Sequence, residues 1–339
     1  MQMNPSHTPL VRRWLLAVMA LIVVMVGVGG TTRLTESGLS IVEWKLVSGI
    51  LPPMNDAAWQ GEFKEYQTSP QFQKVNRGFA LADFKRIYWL EYAHRLIGRL
   101  VGMAVLLPFL YFAARGWLSR AMLWRCGLLF VLVAAQGVVG WIMVASGLVD
   151  QPRVAPVKLA AHLSLAFVFF LVTLWTYWGL GAQRPSPAPR GVALSARVAF
   201  GLVFVQIIFG ALVAGLRAGL TYNTYPLMDG ALVPAGLERL APWWANHLES
   251  AVTVQFQHRM GALAVLAGVL GFVAYAWRKV TDRRPLRWLL GAVMLQFSLG
   301  VATLLSVVAI PLAVAHQLCA LLLLGSSLWA IKSYPFSKA

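Results

Sequence analysis

Acidic residues and cysteines are both scarce in this 339-residue chain, and charged residues of either sign make up only 12% of it. Soluble domains carry about 25% charged residues, so this low fraction argues against a soluble globular protein. The two cysteines, Cys126 and Cys319, lie within or beside apolar stretches, which excludes a disulfide framework in the outer loops. We interpret both as buried small side chains.

Apolar residues, by contrast, make up 59% of the chain and are concentrated in eight long runs. Each run approaches or exceeds the ~20 residues that a helix needs to cross a bilayer. The predicted spans are residues 14–32, 92–113, 124–146, 157–180, 197–216, 252–276, 287–308 and 311–330. The sequence therefore predicts an all-α integral membrane protein with eight transmembrane helices.

The 29 lysines and arginines outnumber the 12 acids, and their placement predicts topology rather than nucleic-acid binding. They cluster before the first span, after the last, and in the loops that follow spans two, four and six. These clusters contain Arg12, Arg13, Arg115, Arg120, Arg125, Arg184, Arg190, Arg197, Arg278, Lys279, Arg283, Arg284, Arg287, Lys332 and Lys338, with Asp282 as the single acid. The positive-inside rule puts both termini in the cytoplasm, and anionic lipid binding is the weaker alternative. The short polar leader lacks the features of a cleaved presequence, so we expect a bacterial inner membrane.

The second half of the chain repeats landmarks of the first in the same order. The His-Arg pair at 94–95 returns at 258–259, the motif at 136–140 returns at 296–300, and His162 returns as His316. The sequence therefore predicts two pseudo-symmetric four-helix bundles, in residues 1–182 and 183–339. The first includes a long outer loop, residues 33–90, whose aromatic side chains argue for a cap over the bundle rather than disorder.

Four histidines, His94, His162, His258 and His316, each lie a few residues inside the outer end of a span. At 1.5 Å per residue they share one depth, so in each half a histidine of the second helix can face one of the fourth. Facing imidazoles in a bundle can supply both axial ligands of a haem, whereas zinc would require four ligands at one point. A single intramembrane histidine is more often a hydrogen-bonded core residue, but two matched pairs favour haem ligation.

Three arginines, Arg95, Arg99 and Arg259, adjoin these histidines near the outer surface, where a buried cation needs an anionic partner. Haem propionates are such partners, because a guanidinium group pairs with a carboxylate through two hydrogen bonds. Snorkelling of these side chains to the membrane interface is the alternative.

Glu91 precedes His94 by three residues and shares its side of the helix, while Gln255 stands at the matching position before His258. This asymmetry predicts chemistry in the first half and electron transfer in the second. Structural pairing of Glu91 with an arginine is the alternative. We interpret His247, in the outer segment before span six, as a surface residue, with contact to a haem edge or redox partner as the alternative.

The chain resembles the haem A synthase family over essentially its whole length. The stretches that carry the resemblance are residues 30–40, 44–45 (Trp44 and Lys45), 52–53, 88–95, 218–230 and 257–259. They are most similar to the branch shared by proteobacteria and mitochondria. The outer-loop cysteine pair of other bacterial members is absent from this sequence, so no thiol-based role is carried over.

The resemblance implies oxidation of a methyl substituent of haem o, through successive hydroxylations, to the formyl group of haem a, in support of cytochrome oxidase assembly. It implies that His94 and His162 flank the substrate haem and that His258 and His316 ligate a haem b cofactor that passes electrons. Glu91 would then take or relay a proton, or stabilise positive charge on the oxidised substituent. Expected partners are haem o and haem a, the lipid bilayer, the enzyme that makes haem o, and an electron-transfer partner.

Two other functions fit the same histidines. A di-haem membrane cytochrome for quinol-linked electron transfer would use all four, but it has no need for Glu91. A haem transporter or chaperone would need only one exchangeable haem. The pigment that the protein binds distinguishes these functions.

Overall fold

The computed structural model describes residues 6–44, 48–181 and 188–336. Lys45, Arg184, Lys338 and the predicted boundary between residues 182 and 183 lie outside these ranges. The chain divides into two compact units, Met1–Leu180 and Gly181–Ala339.

Long apolar helices dominate both units. In chain order, the α-helices of the described residues are α1 (Thr8–Leu34), α2 (Asp56–Gln67), α3 (Pro70–Lys74), α4 (Leu81–Ala114), α5 (Arg120–Ala145), α6 (Pro156–Gly179), α7 (Arg190–Leu216), α8 (Asn246–Glu249), α9 (Ala251–Ala276), α10 (Arg284–Leu305) and α11 (Ile310–Ser333). Eight of them, α1, α4–α7 and α9–α11, are long and apolar enough to cross a membrane. The predicted all-α membrane architecture is confirmed.

Two helix ends differ from the predicted spans for identifiable reasons. α4 begins at Leu81 rather than near residue 92, because its first turns pack aromatic side chains against the outer segment instead of lipid. α10 ends at Leu305, short of the predicted residue 308, because Val307 and Val308 have positive φ angles of 55° and 61°. A hydropathy profile reports how apolar a stretch is, so it detects neither the packing of α4 against the outer segment nor the change in backbone conformation after α10.

Each unit contains a four-helix bundle with the same internal order. In the first bundle α1 packs against α4, α4 against α5, α5 against α6, and α6 against α1. In the second bundle the corresponding order is α7, α9, α10 and α11, with α11 packed against α7. As a result, α4 lies diagonal to α6 in the first bundle, and α9 lies diagonal to α11 in the second.

The outer segment of the first unit, predicted as a long loop, contains two helices of its own, α2 and α3. α2 and α3 each begin with a capping side chain, since Asn55 accepts from the Ala58 N–H and Ser69 from the Phe72 N–H. A buried aromatic cluster then joins them to α4; its members are Trp59, Phe63, Tyr66, Phe84 and Tyr88, with Ile41. Lys74 also donates to the Asp150 carbonyl at 2.6 Å, which ties this cap to the α5–α6 connection.

One polar contact inside the cap is protected by burial. The Tyr66 hydroxyl donates to Gln71 at 3.1 Å and accepts from Asn76 at 2.8 Å. Burial raises the pKa of the Tyr66 phenol above its usual value. The hydroxyl therefore keeps its proton, and with it the hydrogen bond that holds the start of α3 against α2.

Candidate functional site

His94 and His162 lie on the diagonal helices α4 and α6 of the first bundle. Both side chains are half-buried, and the two imidazoles are close enough to interact electrostatically. Side chains that faced the lipid on diagonal helices would point away from each other, so both rings point into the bundle. The structure therefore brings this predicted pair together.

His258 and His316 have the same relation on α9 and α11 of the second bundle. Both are half-buried, and they too interact electrostatically. Within the described ranges, no group of three or more His, Cys, Asp or Glu side chains is placed to hold a metal ion. Each bundle thus presents a pair of imidazoles, which is the ligand set that a porphyrin iron needs from a protein.

Each of these rings packs against a glycine of a neighbouring helix. A Cβ atom added at Gly29 would lie 3.2 Å from Nε2 of His94. One added at Gly140 would lie 2.9 Å from Cε1 of His162. The corresponding distances to Cε1 are 3.0 Å for Gly210 and His258, and 2.9 Å for Gly300 and His316. Contacts this short would force the ring to move. We call these four residues the cradle glycines, because they leave room for the imidazoles and limit their sideways movement.

Three of the rings also contact a glutamine that lies one helical turn before the cradle glycine. The amide nitrogen of Gln136 lies 3.2 Å from Nε2 of His162. The amide nitrogen of Gln206 lies 2.9 Å from Nδ1 of His258, and that of Gln296 lies 3.4 Å from Nε2 of His316. Gln136 and Gln206 also donate to the backbone carbonyl of their histidine, at 3.0 and 2.8 Å. Gln206 was not predicted; it shares the spacing Gln-x-x-x-Gly with residues 136–140 and 296–300, a signal that marks the residue but not its contact with His258.

Glu91 is buried, with 2% of its surface exposed, and both of its carboxylate oxygens accept hydrogen bonds. Oε2 accepts from the Ser40 N–H at 2.7 Å, the Ser40 hydroxyl at 2.8 Å and the Ile41 N–H at 2.9 Å. Oε1 accepts from Nε and Nη2 of Arg95 at 3.0 and 2.7 Å. The carboxylate therefore joins α4 to the segment after α1, in the immediate neighbourhood of His94.

Arg95 extends the same attachment by donating to the carbonyls of Ile41 and Glu43, at 2.7 and 3.0 Å. Its guanidinium group therefore holds the outer segment against α4. The charged i,i+4 pair of Glu91 and Arg95 thus attaches residues 40–43 to α4.

The second unit attaches its outer segment with the equivalent pair, Gln255 and Arg259. Gln255 donates to the Tyr222 carbonyl at 2.9 Å. Arg259 donates to the carbonyls of Tyr222 and Thr224 at 2.8 and 2.9 Å. Because the glutamine is uncharged, this attachment works through neutral acceptors, whereas the first unit uses a carboxylate.

A cavity of about 440 Å³ lies between the cap and the outer end of α4. Arg95 and Arg99 line it together with Tyr88, Tyr92 and residues 51–55. Its volume falls within the ~300–1,000 Å³ typical of small-molecule sites. Arg99 is therefore positioned to contact an anionic group that enters from the outer side.

The two remaining histidines belong to neither pair. His247 is exposed on α8, contacts Gln257 and meets the edge of Trp243 with ring centroids 5.5 Å apart. His7 stacks on Trp117 with ring centroids 4.2 Å apart, at the opposite end of the first bundle from His94.

Known proteins resemble the chain over nearly its full length. The family described as cytochrome oxidase assembly protein, COX15-CtaA, matches residues 12–328. A protein of Bradyrhizobium sp. named heme A synthase is 50% identical over 322 residues, which cover 94% of this chain and 89% of the relative. Proteins with the same name from Parvibaculum lavamentivorans and Azorhizobium caulinodans are each 48% identical, covering 94% and 93% of this chain and 92% and 91% of the relatives.

Proposed function

Because the chain belongs to the COX15-CtaA family of cytochrome oxidase assembly proteins, we propose that it is a haem A synthase. Such an enzyme oxidises a methyl substituent of haem o, through successive hydroxylations, to the formyl group of haem a. With water as the source of the oxygen atom, conversion of the methyl to the formyl group releases four protons and four electrons, so both must leave the site. The protein must therefore provide a place for chemistry and a route for electrons.

The observation that carries this proposal is the difference between the two bundles at one position. Glu91 lies one turn before His94, whereas Gln255 lies one turn before His258. A carboxylate can accept a proton or stabilise positive charge, while an amide cannot ionise. We therefore assign the oxidation to the first bundle, with Glu91 as the catalytic residue, and electron transfer to the second.

The histidines of each bundle fit a haem. We assign haem o to His94 and His162, and a haem b cofactor to His258 and His316. The cradle glycines support this assignment, as does the buried Nδ1 of His316, which has no hydrogen-bond partner among the residues described. When bound, haem b supplies electron transfer. The chain's own residues position the two imidazoles of each pair.

We further propose that the three arginines contact haem propionates. Arg99 lines the outer cavity. Arg95 directs four hydrogen bonds at Glu91, Ile41 and Glu43, and a guanidinium group carries five N–H donors, so one remains for a ligand. Nε of Arg259 is buried and has no hydrogen-bond partner in the part of the chain that the structure describes.

The basic residues support a bacterial inner-membrane location with both termini and the connections after α4, α6 and α9 in the cytoplasm. Both imidazole pairs then lie toward the outer side of the membrane. The partners that we propose are the enzyme that supplies haem o and an electron-transfer partner.

Pigment extracted from the purified full-length protein tests the proposal directly. Haem b accompanied by haem o, its hydroxylated derivative or haem a, identified by chromatography and mass, is the expected result. Haem b alone at two per chain would overturn it in favour of a di-haem cytochrome for quinol-linked electron transfer. A single exchangeable haem b would instead indicate a haem transporter or chaperone.

A further inference from the structure

The outer segment of the second unit exposes two adjacent tryptophans. Trp243 and Trp244 begin a single 3-10 turn, Trp243–Ala245, and their side chains are 74% and 50% exposed. In the cap of the first unit, by contrast, Trp59 is buried in an aromatic cluster. Large apolar side chains exposed next to each other mark a contact with another protein or with a membrane.

A buried side chain holds the turn that carries the two tryptophans. The Asn246 amide nitrogen donates to the carbonyls of Leu240 and Trp243, at 2.8 and 3.0 Å. Its amide oxygen accepts from the Leu240 N–H at 2.9 Å. Because three hydrogen bonds converge on one side chain, the turn has a defined conformation, and this conformation directs both indole rings outward.

Contacts with α9 set the height of this turn relative to the membrane. In the first turn of α9, the Thr253 hydroxyl donates to the Leu237 carbonyl at 2.7 Å. His247 meets the edge of Trp243 and contacts Gln257, which lies about 9 Å along α9 from its first residue at 1.5 Å per residue. The segment therefore folds back beside the outer end of α9 instead of extending away from the membrane.

The surface of α9 that continues from Gln257 meets lipid. Met260 and Ala264 follow Gln257 at helical spacing, and both are exposed. They lie in a helix that is long and apolar enough to cross the membrane. The tryptophan turn therefore adjoins the outer end of a lipid-facing surface.

Charge also favours lipid over a soluble protein at this turn. Residues 231–246 contain one acid and one base, Glu238 and Arg239, and no further charged side chain. Complementary charge usually guides the association of a soluble partner, and this segment has no net charge to supply it. Indole rings, in contrast, favour the level of the lipid headgroups, where the ring meets apolar groups and the N–H reaches water.

We propose that Trp243 and Trp244 insert into the outer headgroup region of the bilayer and anchor the outer segment of the second unit there. The same outer segment supplies the carbonyls of Tyr222 and Thr224 that accept hydrogen bonds from Arg259. It is then held at two places, by lipid at the turn and by α9 at Arg259. This anchor does not depend on the haem chemistry proposed above.

Fluorescence quenching in nanodiscs of phosphatidylcholine tests the anchor. The full-length protein carries a nitrobenzoxadiazole label at Trp243→Cys, and the native Cys126 and Cys319 are buried and should remain unlabelled. Lipids spin-labelled near the top of the acyl chain should quench this label about threefold more strongly than the same label at Lys64→Cys, an exposed position on α2. Aqueous iodide should show the opposite preference.

Met260→Cys, on the lipid-facing surface of α9, is the positive control for quenching by lipid. Trp244→Cys repeats the measurement at the neighbouring position, so the result does not depend on one variant. Equal quenching by lipid at residues 243 and 64, with iodide reaching both, would overturn the anchor. A label at residue 243 that neither quencher reaches would overturn it as well, because a second copy of the chain would then cover the turn.

Discussion

Glu91 is held from two directions, by Arg95 on its own helix and by the backbone of residues 40–41. The two contacts place a carboxylate at a defined position beside His94. They also mean that the same side chain organises the outer segment and adjoins the proposed chemistry. Structural pairing of Glu91 with an arginine, an alternative considered from the sequence, is present in the structure, and a catalytic role for Glu91 stays a prediction.

Glu91→Gln removes the carboxylate and so tests the catalytic role of Glu91. The new amide NH2 is a hydrogen-bond donor, and it would face other donors, either Arg95 or the N–H groups of Ser40 and Ile41. The first unit should therefore lose about 3 kcal/mol of stability. We expect haem b content to be retained and haem a formation to fall about a hundredfold or more. Chromatographic quantification of both haems gives the answer. Glu249→Gln, at an exposed site on α8, is the control; full haem a formation by Glu91→Gln would contradict the assigned role.

Gly210→Ala tests the cradle in the second bundle. The added Cβ would lie 3.0 Å from Cε1 of His258, and displacing the ring should weaken haem b binding about tenfold, a typical overpacking cost. The haem b content of the purified variant measures this. Gly201→Ala on the same helix places its Cβ where nothing lies within 4 Å, so it should retain haem b. Equal haem b in the two variants would argue against the cradle.

At the scale of the elements, α4 contributes to two parts of the structure along its length. Its first turns, from Leu81 to about Tyr88, are part of the cap, and the remainder crosses the membrane. The cap packs through aromatic rings, with centroids 5.1 Å apart for Tyr66 and Phe84 and 4.9 Å apart for Trp59 and Tyr88. Glu91 lies where the two parts meet, so its hydrogen bonds join the cap to the helix that carries His94.

Phe84→Ala should loosen this cap. Removing a fully buried aromatic ring costs about 3–5 kcal/mol, and neighbouring rings cannot refill the space without moving α2. The expected result is faster cleavage of residues 48–80 by an added protease in detergent, with the membrane helices still intact. Arg86→Ala removes an exposed side chain whose contact with Asp83 is 3.8 Å long, and it should leave the cleavage rate unchanged. Equal rates for both variants would show that the cluster does not hold the cap.

At the scale of the whole molecule, the chain is a duplicated bundle whose copies have diverged at the site. Both copies keep the diagonal histidines, the cradle glycines and an i,i+4 pair that holds the outer segment. They differ where Glu91 is replaced by Gln255, and where Met25 is replaced by Gln206. The two bundles therefore present similar histidine sites that differ at these positions.

The proposed topology predicts which introduced cysteines can be labelled from outside. In intact spheroplasts, a membrane-impermeant maleimide should react with Lys64→Cys in the cap and leave Arg115→Cys, after α4, unmodified. Arg115→Cys should react after permeabilisation. The native Cys126 and Cys319 are buried, so the background should be low. Labelling of Arg115→Cys in intact cells would contradict the cytoplasmic placement of that connection.

Hydropathy and charge placement predicted the eight spans and the α-helical class, and the internal repeat marked the four histidines as candidates, because each of these signals can be read along the chain. The partners of those residues could not be obtained in this way. Ser40 and Ile41 meet Glu91 across about fifty positions of sequence, and Gln206 meets His258 across a similar separation. Such contacts depend on how far each helix is rotated about its axis and on how the outer segment folds back. Those are properties of packing, so only the folded chain reveals them.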